Sequence, residues 1–107
     1  MLAEKMSYAN KRRHERYPAV LDVAFDQTGG RVAARSRDVS LGGMFIETDR
    51  ALPYGTRFHL EVRLPALDVP VLIEATVRWS GTTGMGVQWG TLRAKETWAI
   101  NQLSRRA

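Results

Sequence analysis

The chain has 107 residues, 44% of them hydrophobic and 25% charged, a balance that fits one globular domain with a single core. Its net charge of +5 and sequence pI of about 10.2 favour anionic partners. The absence of cysteine excludes disulfides, thiolate metal sites and a cysteine nucleophile. No apolar run approaches the ~18 residues of a membrane helix, and the N-terminus has no secretory pattern, so the expected location is the cytoplasm.

Residues 1–16 are polar and basic without a clean period, and read as an arm that is flexible unless it docks. Its cations cluster as Lys11, Arg12, Arg13 and Arg16, with His14 among them. Residues 17–26 alternate, with Leu21, Val23 and Phe25 on one face and Asp22 and Asp26 on the other, which predicts a strand with one wet side. The turn QTGG precedes a weakly alternating, more exposed strand, RVAARSRDVS. LGG interrupts the chain before the short strand MFIET, on which Phe45 falls on the outer face. A turn-rich loop, DRALPYGT, leads to RFHLEVRL, where Phe58, Leu60, Val62 and Leu64 oppose Arg57, His59, Glu61 and Arg63. VLIEATVRW puts Val71, Ile73, Ala75, Val77 and Trp79 on one face, and SGTTG separates it from the closing strand MGVQW.

After Trp89 the period changes. Leu92, Ala99, Ile100 and Leu103 share one side of a helix at about 92–105, with Trp98 roughly opposite and Arg105 and Arg106 at the end that favours cations. Six short strands and one helix predict a mainly β protein: a small antiparallel barrel over residues 17–107, preceded by the basic arm 1–16.

Two stretches stand outside the strand pattern: Arg12-x-x-x-Arg16, and Asp38-x-Ser40-x-x-Gly43 within DVSLGG. Together, in this order and on this strand pattern, they resemble the PilZ domain, the bacterial receptor module for cyclic di-GMP. The resemblance covers nearly the whole chain and implies a six-stranded barrel with a C-terminal helix. It also implies cyclic di-GMP as ligand with no other cofactor, and a downstream protein partner of unknown identity.

The residue chemistry is compatible with such a ligand, a dianion bearing two guanines. Arginine bonds bidentately to phosphate or to guanine O6/N7 and stacks on flat rings. The i, i+4 spacing puts Arg12 and Arg16 on one side of an extended chain and within one turn of a helix. Arg13 and Lys11 add further cations. Asp38 suits guanine N–H groups, or holds an arginine of the clamp in place. Ser40 suits a phosphate or base, or caps a turn. Gly42 and Gly43 let a ligand or the arm approach the backbone. Trp79 has two readings, core packing or a ring lining the base pocket, and similar family members carry an aromatic near this position.

Catalysis is not expected. Ser40 has Asp38 nearby but no histidine in a triad context, and GMG is a strand turn and no phosphate loop. The two histidines, His14 and His59, make no metal site without cysteine. Trp89 and Phe58 read as core. The alternatives are a basic small barrel that binds nucleic acid and a PilZ-like adaptor that binds no nucleotide. Single-strand binders usually expose several aromatics on one face, and the paired motifs argue against both alternatives.

Overall fold

The computed structural model describes residues 15–104. Among the described residues, seven strands and one helix follow in chain order: β1 Tyr17–Pro18, β2 Asp22–Gln27, β3 Gly30–Val39, β4 Gly43–Glu47, β5 Arg57–Val62, β6 Val71–Ser80, β7 Gly84–Trp89 and α1 Ala94–Ser104. All pairings are antiparallel. The order β3-β2-β5-β6-β7-β4 closes on itself where β4 pairs back onto β3, giving a six-stranded barrel with β1 as an added short strand. Closure leaves these six strands without an open edge, the usual solution for a small all-β domain.

The first strand expected from alternation, 17–26, is divided. β1 pairs Tyr17 with Val39 and Pro18 with Asp38, whereas β2 begins at Asp22 opposite Arg35. The intervening chain thus carries one residue more than β3 opposite it. The buried Ser36 bridges the misfit: its Oγ accepts from the Leu21 N–H at 2.9 Å and donates to the Ala19 carbonyl at 2.7 Å. A side-chain hydroxyl here replaces the ladder contacts that an unbroken strand would make.

The core follows the period-2 pattern. Val23 and Phe25, Leu60 and Val62, Val71, Ile73, Ala75 and Val77, and Met85, Val87 and Trp89 all face inward. Each such large side chain contributes about 1.5–3 kcal/mol on full burial. Phe58 is partly buried and meets Phe25 edge-to-face at 5.8 Å, and His59 is exposed, as expected. Trp79 departs from its predicted face and lies outside, 51% exposed.

The helix is two residues shorter at its start than the period suggested. Its buried positions are Ala99, Ile100 and Leu103, joined by the charged Glu96, while Trp98 is exposed. Glu96 accepts from the Arg93 backbone N–H at 2.9 Å and from its guanidinium at 2.9 and 2.6 Å. It therefore satisfies a donor at the helix start, in the manner of a capping-box glutamate. Burial pushes the Glu96 carboxyl up. The hydrogen bonds from Arg93, with the charges of Arg93 and Lys95, outweigh that and leave it below its ordinary value.

A carboxyl held low in the folded state stabilises the fold above its unfolded value of about 4.3, and that stability is lost as pH falls through the lower folded value. Glu96→Gln is expected to cost about 1–2 kcal/mol at neutral pH. Urea unfolding of both proteins should show the difference shrinking as the pH falls below the ordinary carboxylate range; a gap that stays constant with pH would contradict the ionic role.

Candidate functional site

Arg16, the last residue of the first motif, and Asp38, the first of the second, meet on the outer surface beside β3. Arg16 immediately precedes β1, and the pairing of Pro18 with Asp38 brings it beside that residue. Its Nη2 donates to Asp38 Oδ1 at 2.6 Å across 22 residues of sequence. With side chains 45% and 27% exposed, the pair contributes at most about 1 kcal/mol to stability. It orients a guanidinium rather than holding the fold. Of the other predicted cations, Lys11, Arg12 and Arg13 lie outside the described residues.

The second motif forms a tight, buried turn. Ser40 is 1% exposed, and its Oγ accepts from the N–H groups of Gly42 at 3.0 Å and Gly43 at 3.2 Å. Its backbone N–H donates to the Gly43 carbonyl at 2.8 Å, and its carbonyl accepts from the Trp89 indole N–H at 2.9 Å. Trp89 also donates its backbone N–H to the Gly42 carbonyl at 2.9 Å. Ser40 is thus the acceptor around which the turn closes. Gly43 is required sterically, since a Cβ there would lie 2.0 Å from the Val87 carbonyl oxygen.

Two β-bulges shape the surface next to this turn. Between Ser36 and Asp38 the β3–β4 register shifts, so that Arg37 and Asp38 both face outward opposite Phe45. Between Val77 and Trp79 the β6–β7 register shifts, so that Arg78 and Trp79 both face outward opposite Gly86. Phe45 and Gly86 are themselves partners, so the two bulges occupy one row of the sheet. An extra residue re-aims the side chains that follow it, and that is why Trp79 leaves the apolar face.

The row carries an aromatic pair, Phe45 and Trp79, with ring centroids 5.7 Å apart. Trp79 lies over Gly81 and Phe45 over Gly84, where added Cβ atoms would meet the rings at 2.5 and 2.8 Å. The Arg37 guanidinium stacks on Phe45, 4.2 Å from the ring centroid, and its Nε donates to Glu47 at 3.2 Å. The motifs do not include Arg37. The sequence signal for it is the spacing of the buried Ser36 and Val39, which are three apart where an unbroken strand keeps inward residues two apart.

In the adjacent outward row, Gly43, Gln88, Thr76 and Arg57 are successive partners. A polar groove of about 460 Å³ opens there, bordered by Arg57, Glu74, Thr76, Arg78 and Gln88. Arg78 donates to Gln88 at 2.8 Å and so stands between groove and aromatic row. Among the described residues no cluster of acids and histidines is placed to hold a metal ion, and no helix is long and apolar enough to cross a membrane.

A family model described as PilZ domain matches residues 10–105. No curated protein matches the sequence. Among solved structures, the chain is similar to the Bacillus subtilis inhibitor of motility MotI/DgrA, at 25% identity and a TM-score of 0.71 over 89% of this chain. It spans half the length of that protein. It is similar in fold to the PilZ domain of Escherichia coli YcgR solved with c-di-GMP, at 19% identity and a TM-score of 0.67 over 90% of this chain and 93% of that one. The PilZ domain of CeSA from a cellulose-synthesizing bacterium aligns at 18% identity and a TM-score of 0.63, over 83% of this chain and 93% of that one.

Gly43→Ala is expected to cost on the order of 3 kcal/mol, because backbone must move to admit the methyl group. Gly86→Ala, whose Cβ would approach nothing nearer than 3.6 Å, should change stability by less than about 1 kcal/mol. Urea midpoints of the two variants check the contrast; equal losses would mean that the Gly43–Val87 approach is not the constraint.

Proposed function

Because the chain belongs to the PilZ domain family, we propose that it is a receptor for cyclic di-GMP, with the surface around Arg16 and Asp38 as its binding site. One observation carries this reading: the last arginine of R-x-x-x-R is hydrogen-bonded to the aspartate of D-x-S-x-x-G. The two sequence elements expected to share a ligand share a contact.

The chemistry divides among these residues. Asp38 fixes the Arg16 guanidinium through Oδ1, leaving the other N–H donors of Arg16 for a phosphate or for guanine O6/N7. Asp38 Oδ2 accepts no hydrogen bond from the described residues and suits guanine N1–H or N2–H. Ser40 acts from beneath: its hydroxyl holds the amides of Gly42 and Gly43 and so fixes the turn that follows Asp38. Trp79 supplies an exposed ring for stacking.

Lys11, Arg12 and Arg13 complete the site when the N-terminal arm closes over the ligand. Ordering the arm costs about 1–2 kcal/mol per residue fixed, which charge-assisted hydrogen bonds to the two phosphates must exceed. The ordered arm then presents a new surface to a downstream protein, so the output is a contact and no reaction. A neighbour named as an inhibitor of motility supports action through a partner.

Calorimetric titration should give saturable binding of cyclic di-GMP, with no comparable binding of GTP or GMP. Arg16→Ala should weaken it by roughly ten- to a hundredfold, the loss expected for a charge-assisted bidentate contact. Arg13→Ala should cost less. Failure to bind the cyclic dinucleotide, with steeply salt-dependent binding of a short single-stranded DNA, would replace this reading with the nucleic-acid one. For the relay, the transverse relaxation rates and heteronuclear NOE of the amides of residues 1–14 should rise with saturating ligand; unchanged values would rule the relay out.

A further inference from the structure

We propose that Arg37, outside both motifs, is a specificity-determining ligand contact: a planar cation on which one guanine of the dinucleotide stacks. The inference rests on the receptor reading and names a further residue of the same site.

The β3 bulge brings Arg37 to the outer face beside Asp38, the residue that holds Arg16. Two contacts then fix its guanidinium as a plane. Phe45 lies under one face, 4.2 Å from the guanidinium carbon to the ring centroid, and Glu47 takes the Nε–H at 3.2 Å. The side chain nonetheless remains 56% exposed. No second ring of the described residues stacks on it, and among those residues its terminal N–H groups have no hydrogen-bond acceptor.

A surface arginine normally loses rotamer freedom when it captures a flat partner. Here Phe45 and Glu47 have already fixed most of it, which is the condition under which stacking gives a net gain. The same Phe45 ring contacts Trp79 on the far bulge. Arg37 and Trp79 therefore flank one central aromatic, and both are exposed. A cyclic dinucleotide has two bases to place, and this row offers two flat surfaces beside the Arg16–Asp38 pair. Arg78, the other outward bulge residue, does not share the role: it turns to Gln88 on the groove side, and among the described residues no aromatic ring lies under its guanidinium.

The test separates plane from charge by titrating the full chain and its Arg37→Ala and Arg37→Lys variants with cyclic di-GMP. Arg16→Ala serves as a reference. Stacking predicts that both Arg37 variants lose roughly ten- to a hundredfold in affinity, because lysine keeps the charge but not the plane. Glu47→Gln, which loosens the plane without removing it, should fall between them and the unaltered chain. If Arg37→Lys binds as tightly as the unaltered chain, Arg37 supplies charge alone and the inference is overturned. If Arg37→Ala binds normally while Arg16→Ala does not, Arg37 is a bystander and the receptor reading survives without it. If the unaltered chain binds no cyclic di-GMP, both readings fall together.

Discussion

The structure depends on one close approach, that of β4 to β7 at Gly43. A backbone carbonyl, Val87, occupies the space where any other residue would carry a Cβ. The strands can close the barrel there because the preceding turn is fastened to β7. Ser40 binds its two amides, and Trp89 anchors both the Ser40 and Gly42 carbonyls. The Ser40 hydroxyl and carbonyl, the Gly42 and Gly43 amides and the Gly42 carbonyl, each of which would cost about 1–3 kcal/mol if buried unpaired, thereby find partners. The position of Asp38 follows, since it lies on β3 just before this turn.

From that fixed point the surface is built by irregularity. Barrel strands in perfect alternation would present single outward residues at each step. The two bulges instead put Arg37 with Asp38 and Arg78 with Trp79 on the outside, in one row, with Phe45 and Gly86 between them. Small or absent side chains at Gly81, Gly84 and Gly86 leave room for the two rings to lie along the sheet. A rigid barrel thus carries flat, cationic and aromatic surfaces whose geometry is set by the backbone, not by flexible side chains.

Much of this was legible in the sequence. Period-2 alternation located six of the strands, the turns QTGG and SGTTG separated them, and the change to helical period marked the C-terminal element. The two motifs pointed to Arg16 and Asp38. Three features were hidden for physical reasons. Alternation assumes an unbroken pleat, so a one-residue insertion inverts the faces after it, and Trp79 was placed inward. The division of the first strand depends on Ser36, whose hydroxyl acts as a backbone substitute that no periodicity detects. Glu96 is buried because Arg93, three residues earlier, neutralises it and because it accepts the helix-start N–H; composition alone puts a glutamate outside.

The central claim is that cyclic di-GMP lies on the surface defined by Arg16, Asp38 and the aromatic row. The most direct measurement is an amide and indole chemical-shift map of the full chain titrated with the dinucleotide. The account predicts shifts concentrated at residues 16–18, 36–45 and 79–86, including the Trp79 indole, with His59 and Leu72 on other outward faces unaffected. Shifts confined to β5 and the start of β6, or none at saturating ligand, would contradict it.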